Sequence, residues 1–308
     1  MDSSKYIQFF ENLKSPNKEI RQQAEKDLEQ IKKLKIEQSF PIFQAGISSE
    51  EQNISQLSSL MMKKVYFENK DIRSNLTNEQ ILNIKNFLKS QISFNSNKNW
   101  KTLQRIGDNL AYLYQLSDMK ESFSEILFWF NSNEPLARKF SIYIIEFLSD
   151  LSFFKCDLVK SNLNDFKNMF IKGLNDNDIQ VKVSSLKSFC SFLKNLNDDI
   201  LIEEFSELIE NLLSCTLSIL GNDEFSDKEI LESLNNLTDF YPKFWKSKIE
   251  ILIEVIVKIS KEKKLSNNTR TSSLELIYSL SQRMPSKIRK SNNFINLFIP
   301  ELFELIKK

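Results

Sequence analysis

The chain has 308 residues, is 41% apolar and 27% charged, and carries a formal net charge of +1, so it has no global pull towards nucleic acid or a membrane surface. It holds no histidine, which excludes Ser-His-Asp and Cys-His nucleophile pairs and any imidazole metal site. Its four glycines stand alone and it has only six prolines, so no glycine-rich phosphate loop can form and a turn-rich β fold is disfavoured.

Long windows of helical period predict an all-α chain. Met1 to Lys14 reads as a first helix with Tyr6, Phe9, Phe10 and Leu13 inward. Ser15 then caps a second helix that has Pro16 in its first turn, where a missing N–H costs little. That helix continues through Ile20, Ala24, Leu28 and Ile31. Further helical hairpins are predicted at Lys35–Ile47 with Glu50–Phe67, at Thr77–Phe94 with Lys98–Leu116, and at Met119–Phe130 with Glu134–Leu151. The fifth is the most regular. Leu163, Phe166, Phe170 and Leu174 mark its first helix, and Ile179, Val183, Leu186, Cys190 and Leu193 its second, across the polar turn Asn175–Asp178. Asp198–Leu220 with Asp227–Phe240, and Lys243–Lys261 with Ser266–Met284, make the sixth and seventh. Lys287–Lys308 reads as a first helix without its mate, leaving Leu302, Phe303, Leu305 and Ile306 uncovered and the end prone to self-association.

The polar turns inside these hairpins begin near Ser15, Ser48, Asn95, Asn131, Asn175, Gly221 and Leu265, 33 to 47 residues apart. Most spacings lie near the roughly 40–47 residue period of HEAT-type helical pairs. The expectation is an all-α, armadillo/HEAT-type α-solenoid (superhelix) of about seven repeats, forming one domain over 1–308. Its repeats fall at approximately 1–33, 34–70, 77–117, 118–153, 157–196, 197–241 and 242–286, with an unpaired helix at 287–308. SPNKEIR, NDNDIQVK and SNNTR each place a polar turn before a basic residue (Arg21, Lys182, Arg270). In HEAT repeats such a base often pairs with an acid of the neighbouring turn. With asparagine at most turn positions, the ladder is expected to be weak. Pro41 and Pro300 fall within first helices, where HEAT repeats accept a proline kink.

Cys156, Cys190 and Cys215 have no C-x-x-C spacing and read as small buried hydrophobes of a reducing compartment. No apolar run reaches the roughly 20 residues that span a bilayer, and MDSSKYIQFF resembles neither a signal nor a transit peptide. Nothing in the chain calls for a metal, a cofactor or a catalytic residue.

Six stretches carry a more specific resemblance. NLKSPNKEIRQQAEKDLEQI (Asn12–Ile31), QLSSLMMKKVYF (Gln56–Phe67) and IRSNLTNEQILNIKNFLKSQI (Ile72–Ile92) resemble the first three repeats of the importin-β (karyopherin-β) superfamily. FYPKFWKSKIEILIEVIVKIS (Phe240–Ser260) and TRTSSLELIYSLSQRMPSKIRK (Thr269–Lys290) are most similar to its importin-5 branch, and NNFINLFIPELFELIKK to the helix that precedes an acidic insertion there. The resemblance covers the whole chain in register. Superfamily members are about three times as long, so the expectation is a shortened piece or a naturally short paralogue.

The resemblance implies a non-catalytic nuclear transport receptor, working between cytoplasm and nucleus at the nuclear pore. Its implied partners are the GTP form of the GTPase Ran, cargo proteins with basic signals, and Phe-Gly nucleoporins. No nucleic acid and no membrane span are implied. The plainer alternative is a HEAT scaffold subunit, for example of the phosphatase regulatory type. In the family, second helices of the first repeats hold Ran. Helical spacing points Ile54, Leu57, Met61 and Val65 inward and leaves Gln52, Gln56, Ser59, Lys63 and Tyr66 on the opposite face. The same spacing leaves Gln22 and Lys26 free in the first repeat, and Gln104, Asp108 and Tyr112 in the third. An ordinary solvated face explains the pattern as well.

Charge is uneven. Asn197–Asp239 has 12 acids and one base, whereas Phe240–Lys308 has 14 bases and 6 acids. An acidic wall suits a carrier of basic signals, with Glu224, Asp227, Glu232 and Asp239 as candidate cargo contacts. Attraction between adjacent repeats is the plainer reading. Grooves between first helices, at Phe166, Phe170, Ile209 and Leu213, are candidate nucleoporin contacts, unless core packing uses them. The basic cluster Arg283, Lys287, Arg289 and Lys290 has no interleaved aromatics and reads as a solvated loop.

Overall fold

The structure, a computed structural model, describes residues 3–94, 99–151, 154–222 and 225–306. All regular structure among them is helical. Cα packing divides the chain into two compact units, Met1–Ile126 and Leu127–Lys308.

In the first unit α1 (Ser3–Leu13) pairs with α2 (Lys18–Ile31), and α3 (Ile36–Ile47) with α4 (Gln52–Met62). A short α5 (Lys70–Ser74) leads to α6 (Asn78–Ser90), which pairs with α7 (Trp100–Leu116). The starts obey local chemistry. Asn17 Oδ1 accepts from Glu19 N at 2.9 Å. Thr77 and Gln80 form a reciprocal capping box, and Asn99 caps α7 through Thr102 N at 3.0 Å; each satisfies N–H groups that have no helical partner. The predicted turn at Asn95 lies outside the described residues.

After α4 the chain makes a π turn over Lys63–Phe67, closed by Glu68 N donating to Lys63 O at 3.0 Å. The extra residue rotates the side chains beyond it about the helix axis. Val65, Tyr66 and Phe67 are consequently buried in succession, which one face of a regular helix does not permit. α3 continues through Pro41.

The division between the units falls within α8 (Met119–Phe130). The second unit then holds α9 (Pro135–Asp150), α10 (Cys156–Ser161), α11 (Leu163–Leu174) and α12 (Ile179–Asn195). α13 (Asp199–Glu204) runs through a 3₁₀ turn into α14 (Ile209–Ile219), and α15 (Asp227–Phe240) comes next. A 3₁₀ segment, Pro242–Ser247, precedes α16 (Ile249–Lys261). α17 (Asn267–Arg283), α18 (Pro285–Ile288) and α19 (Ile299–Ile306) complete the chain. A π turn over Phe294–Phe298 precedes Pro300. The wider turn falls where the proline ring would otherwise meet the carbonyl four residues back.

Packing here forms two layers. α9, α12, α15 and α17 lie side by side, and α11, α14 and α16 form the other row. Phe166, Phe170, Phe189, Phe192 and Phe205 fill the space between them and are fully buried. Phe166 stacks on Phe192 at 5.1 Å, and Phe170 lies 4.9 Å from Phe189. Truncating any of these rings would cost about 3–5 kcal/mol. Close approach within hairpins needs glycine at two places. A Cβ on Gly46 would lie 2.0 Å from Ser58 Oγ, and one on Gly173 2.3 Å from Ser185 Oγ.

Ile20, expected to point inward, is 43% exposed, although α2 packs on α1. At the end of the chain Leu302 and Phe303 are exposed as expected; the side chains of Leu305 and Ile306 lie outside the described ones. Cys190 and Cys215 are buried and Cys156 half-buried. Burial pushes the Cys215 thiol up to about 12 and that of Cys190 well above its usual range, which keeps both as weakly acidic thiols.

Candidate partner-binding faces

In the first unit the second helices present a face only partly as predicted. Gln22 and Lys26 on α2 are exposed. Gln52 and Gln56 are half-buried and engage the start of α7. Asn99 N donates to Gln52 Oε1 at 3.1 Å, and Gln56 Nε2 donates to Asn99 Oδ1 and Thr102 Oγ1, both at 3.1 Å. This neutral amide ladder stands where HEAT repeats use an acid–base pair.

Four residues predicted on the free face are buried, because α7 packs along that side of α4 and of the π turn after it. Ser59 is closed off, with its hydroxyl on Ser55 O and its own carbonyl accepting from Asn109 Nδ2 at 3.0 Å. Tyr66 is turned inward by the π turn and shares a 2.7 Å bond with Ser39. Burial raises its phenol above the ordinary range. Tyr112 stacks on Phe67 at 5.6 Å. Asp108 is 1% exposed and lies beneath two cations, with its Oδ2 3.2 Å from Lys63 Nζ and 3.4 Å from Arg105 Nη1. Lys63 also lies 3.9 Å from Glu68. Gln104 remains half-buried and Arg105 exposed.

Sequence reasoning missed a second cluster in this unit. Lys85, 3% exposed, donates to Glu121 and Glu125 at 3.0 Å each, and Lys89 pairs with Glu125 at 3.2 Å. Tyr114 adds a 2.9 Å bond to Glu125. Burial alone would raise the Glu125 carboxyl; the bonds from Lys85 and Tyr114 outweigh it and hold the group below its usual value. The signal was present as two bases four residues apart on α6, facing two acids four residues apart on α8, one repeat of 36 residues on.

In the second unit the acidic stretch is largely neutralised. Asp198 pairs with Lys160 at 2.9 Å, Asp199 with Lys243 at 3.3 Å, and Glu210 with Lys248 at 2.6 Å. Lys167 reaches Glu204 and Glu207, and Lys187 reaches Glu229. These are mostly bonds between neighbouring hairpins, the attraction between adjacent repeats that the charge pattern allows. Of the candidate cargo contacts, Asp227 accepts from Gly221 N at 2.9 Å and Thr269 Oγ1 at 3.0 Å. Asp239 accepts from Ser279, while Glu232 is exposed beside Lys228. Glu224 lies outside the described residues. A cavity of about 300 Å³ crosses α9, α12 and α15, lined by Glu146, Asp150, Lys187, Lys194, Glu229 and Glu232 among others. Burial pushes Glu146 up to about 7; Asp150 adds to the shift and Lys187 opposes it.

The four predicted nucleoporin contacts are not a groove. Phe166, Phe170, Ile209 and Leu213 are at most 2% exposed, since α11 and α14 pack directly on each other and on α12. Arg283, Lys287, Arg289 and Lys290 are exposed around α18, as a solvated loop requires. Arg21 and Arg270 bond carbonyls of their own hairpins, Ser15 O and Ser260 O. The acid–base rung between turns is made instead by Asp176 and Arg138, a residue that the turn pattern does not single out.

These paired helices define a HEAT-type α-solenoid. Residues 119–255 match the family described as IPO5-like, TPR repeats. Importin subunit beta-3 of Saccharomyces cerevisiae is 24% identical over 306 residues, covering 94% of this chain and 27% of that protein. Among solved structures, Kap121p bound to RanGTP superposes with a TM-score of 0.78 at 22% identity, covering 95% of this chain and 27% of that one. Kap121p bound to Nup53p gives 0.79 at 21%, covering 95% and 28%. Kap121p bound to Pho4p gives 0.80 at 22%, again covering 95% and 28%. The segment 119–255 is thus similar to the importin-5-like family, and the fold along 95% of the chain is that of a karyopherin HEAT solenoid. It spans about a quarter of the length of the relatives it matches.

Proposed function

We propose that the chain acts as the receptor part of a nuclear transport factor, binding the GTP form of Ran and protein partners during nucleocytoplasmic protein import. The observation that carries this reading is the match along 95% of the chain to a karyopherin whose structures hold RanGTP, a nucleoporin and Pho4p. The superfamily is one of transport receptors, not of enzymes. The reading places the chain in cytoplasm and nucleus, passing the nuclear pore, and treats all of 1–308 as one seven-repeat solenoid.

Gln22, Lys26 and Gln104, with the accessible edges of Gln52, Gln56 and Lys63, are the residues offered to Ran. Ser59, Tyr66, Asp108 and Tyr112 support that face from beneath. Basic cargo would meet Glu232 and Asp239, which are exposed, with Asp227 at the turn below. A nucleoporin contact is retained as a partner class but not at the buried phenylalanines of α11. Ran and cargo would disfavour each other through a reciprocal coupling free energy.

A pull-down of the chain with Ran loaded with GTP or GDP tests the proposal. Retention of the GTP form alone supports it. Partners that co-purify equally with either nucleotide would instead mark a constitutive HEAT scaffold.

A further inference from the structure

We infer that Lys101 and Arg105 on α7, together with Lys63 in the π turn after α4, form a basic strip that docks a carboxylate-bearing protein surface, and that Asp108 is its positioning residue. This deepens the Ran·GTP reading and rests on it. Periodicity on α7 favoured Gln104, Asp108 and Tyr112 and passed over both Lys101 and Arg105.

The geometry is specific. Lys101 and Arg105 are four residues apart on one helix and both exposed, so they share a face. Asp108, one turn further, is closed off by the cations above it. Its Oδ2 holds Lys63 Nζ at 3.2 Å and Arg105 Nη1 at 3.4 Å, while the side chains of Lys63, Arg105 and Asp108 are 14%, 46% and 2% exposed. A single submerged carboxylate thus fixes two long cationic side chains that would otherwise lose rotamer freedom on binding. Glu68, at 3.9 Å from Lys63, offsets part of the charge on the α4 side only. Arg105 therefore keeps a guanidinium edge towards solvent, the group best shaped to grip a carboxylate through two parallel bonds.

The strip fits discrete carboxylates better than a nucleic acid. A phosphate backbone presents a charge about every 1.7 Å of duplex axis and is held by many cations at once. Here there are three, with a carboxylate among them.

The test measures binding of the chain to immobilised Ran·GTP at several salt concentrations, for the wild type and for Arg105→Gln, Lys101→Gln and Gln22→Glu, with Lys120→Gln as an exposed control on α8. The strip predicts at least fivefold weaker binding and a flatter salt dependence for Arg105→Gln and Lys101→Gln, and no change for the control. If Gln22→Glu weakens binding while the α7 variants do not, the Ran reading stands and the strip is overturned. If the wild type does not bind Ran·GTP, that reading fails and a polyglutamate peptide becomes the probe. Binding that Arg105→Gln abolishes then supports the strip; equal or absent binding, or tighter binding of a short RNA duplex, overturns it. The positioning role is read from a double-mutant cycle. Asp108→Asn weakens binding in the wild-type background, Asp108→Glu restores part of it, and the Asn effect vanishes in Lys63→Gln/Arg105→Gln. A purely structural Asp108 would leave the same effect in both backgrounds.

Discussion

The Arg138 guanidinium grips the Asp176 carboxylate through two parallel bonds, Nε to Oδ2 at 2.7 Å and Nη2 to Oδ1 at 2.8 Å. Its third nitrogen, Nη1, donates to Ser132 O and Asn133 O at 3.0 Å each. One side chain thus closes its own hairpin turn and binds the next. Asp176 also accepts from Asp178 N at 2.9 Å, so the second turn is held from both sides.

Because the pair is mostly shielded, with Asp176 8% and Arg138 18% exposed, breaking it should be expensive. Asp176→Ala is expected to lower stability by about 3 kcal/mol, and Arg138→Lys to behave much like a deletion, since a lysine cannot form the fork. Burial pushes the Asp176 carboxyl up, but the bonds from Arg138 and Asp178 N outweigh it and leave the group below its usual value. The stabilisation is therefore present above the unfolded-state pKa of about 3.9 and is lost as pH falls through the lower folded value. Urea unfolding of wild type and variant between pH 3 and pH 7 checks this: their difference should narrow at the acid end.

Glu146 has the opposite sign. Its carboxyl is raised from an ordinary 4.5 to about 7, so the folded chain holds this proton more tightly than the unfolded one. The associated stability is full below about 4.5 and drains away as pH rises through about 7. The span is on the order of 3 kcal/mol at most. Glu146→Gln, which cannot ionise, should match the wild type at pH 4.5 and exceed it in thermal midpoint at pH 8. A constant offset between the two proteins across that range would show that Glu146 titrates normally.

Hairpin closure offers a steric prediction. Alanine is the better helix former by about 1 kcal/mol, yet at Gly46 the added Cβ would meet Ser58 Oγ at 2.0 Å and the Phe10 ring at 2.5 Å. At Gly173 it meets Ser185 Oγ at 2.3 Å and Ser185 Cβ at 3.0 Å. Both Gly→Ala changes are expected to destabilise, by about 1–3 kcal/mol, and Gly46→Ala by the larger amount because a buried ring must also move. Ser185→Ala removes the nearer clash, so Gly173→Ala/Ser185→Ala should recover part of the loss in chemical denaturation.

The helices themselves were legible because their apolar positions repeat at three and four residues and their turns carry Asn, Ser and Asp. In α11 and α12 the positions from Phe166 to Leu193 that period points inward are buried, apart from half-buried Ile179, but so are Phe189 and Phe192, which it does not point inward. What period cannot supply is the second neighbour. A residue opposite the packed face of an isolated hairpin looks free, but in a stack that side is taken by the next second helix, which is how Ser59 and Asp108 came to be buried. The π turn at Lys63–Phe67 has no Pro or Gly to announce it, so regular helical spacing points Tyr66 to the wrong side. The phenylalanines offered to nucleoporins fail for a related reason, since a groove between first helices exists only where their ridges stand apart. Pairings such as Lys85 with Glu125 become visible only once the repeat offset is known.

That burial changes how the proposed Ran face should be probed. Lys63→Glu would set a second carboxylate against buried Asp108, where Lys63 Nζ now lies 3.2 Å away, and like charges in a shielded site destabilise strongly. Its loss of binding would therefore be confounded with loss of fold, and a fall in thermal midpoint is expected. Lys26 on α2 is exposed, so Lys26→Glu should leave the midpoint nearly unchanged. If α2 meets Ran, Lys26→Glu weakens Ran·GTP binding, and more so at low salt because the contact is unshielded. Calorimetry and binding measured on the same samples separate the two effects. Wild-type affinity in a fully folded Lys26→Glu chain would remove α2 from the Ran face and leave the burden on α4 and α7.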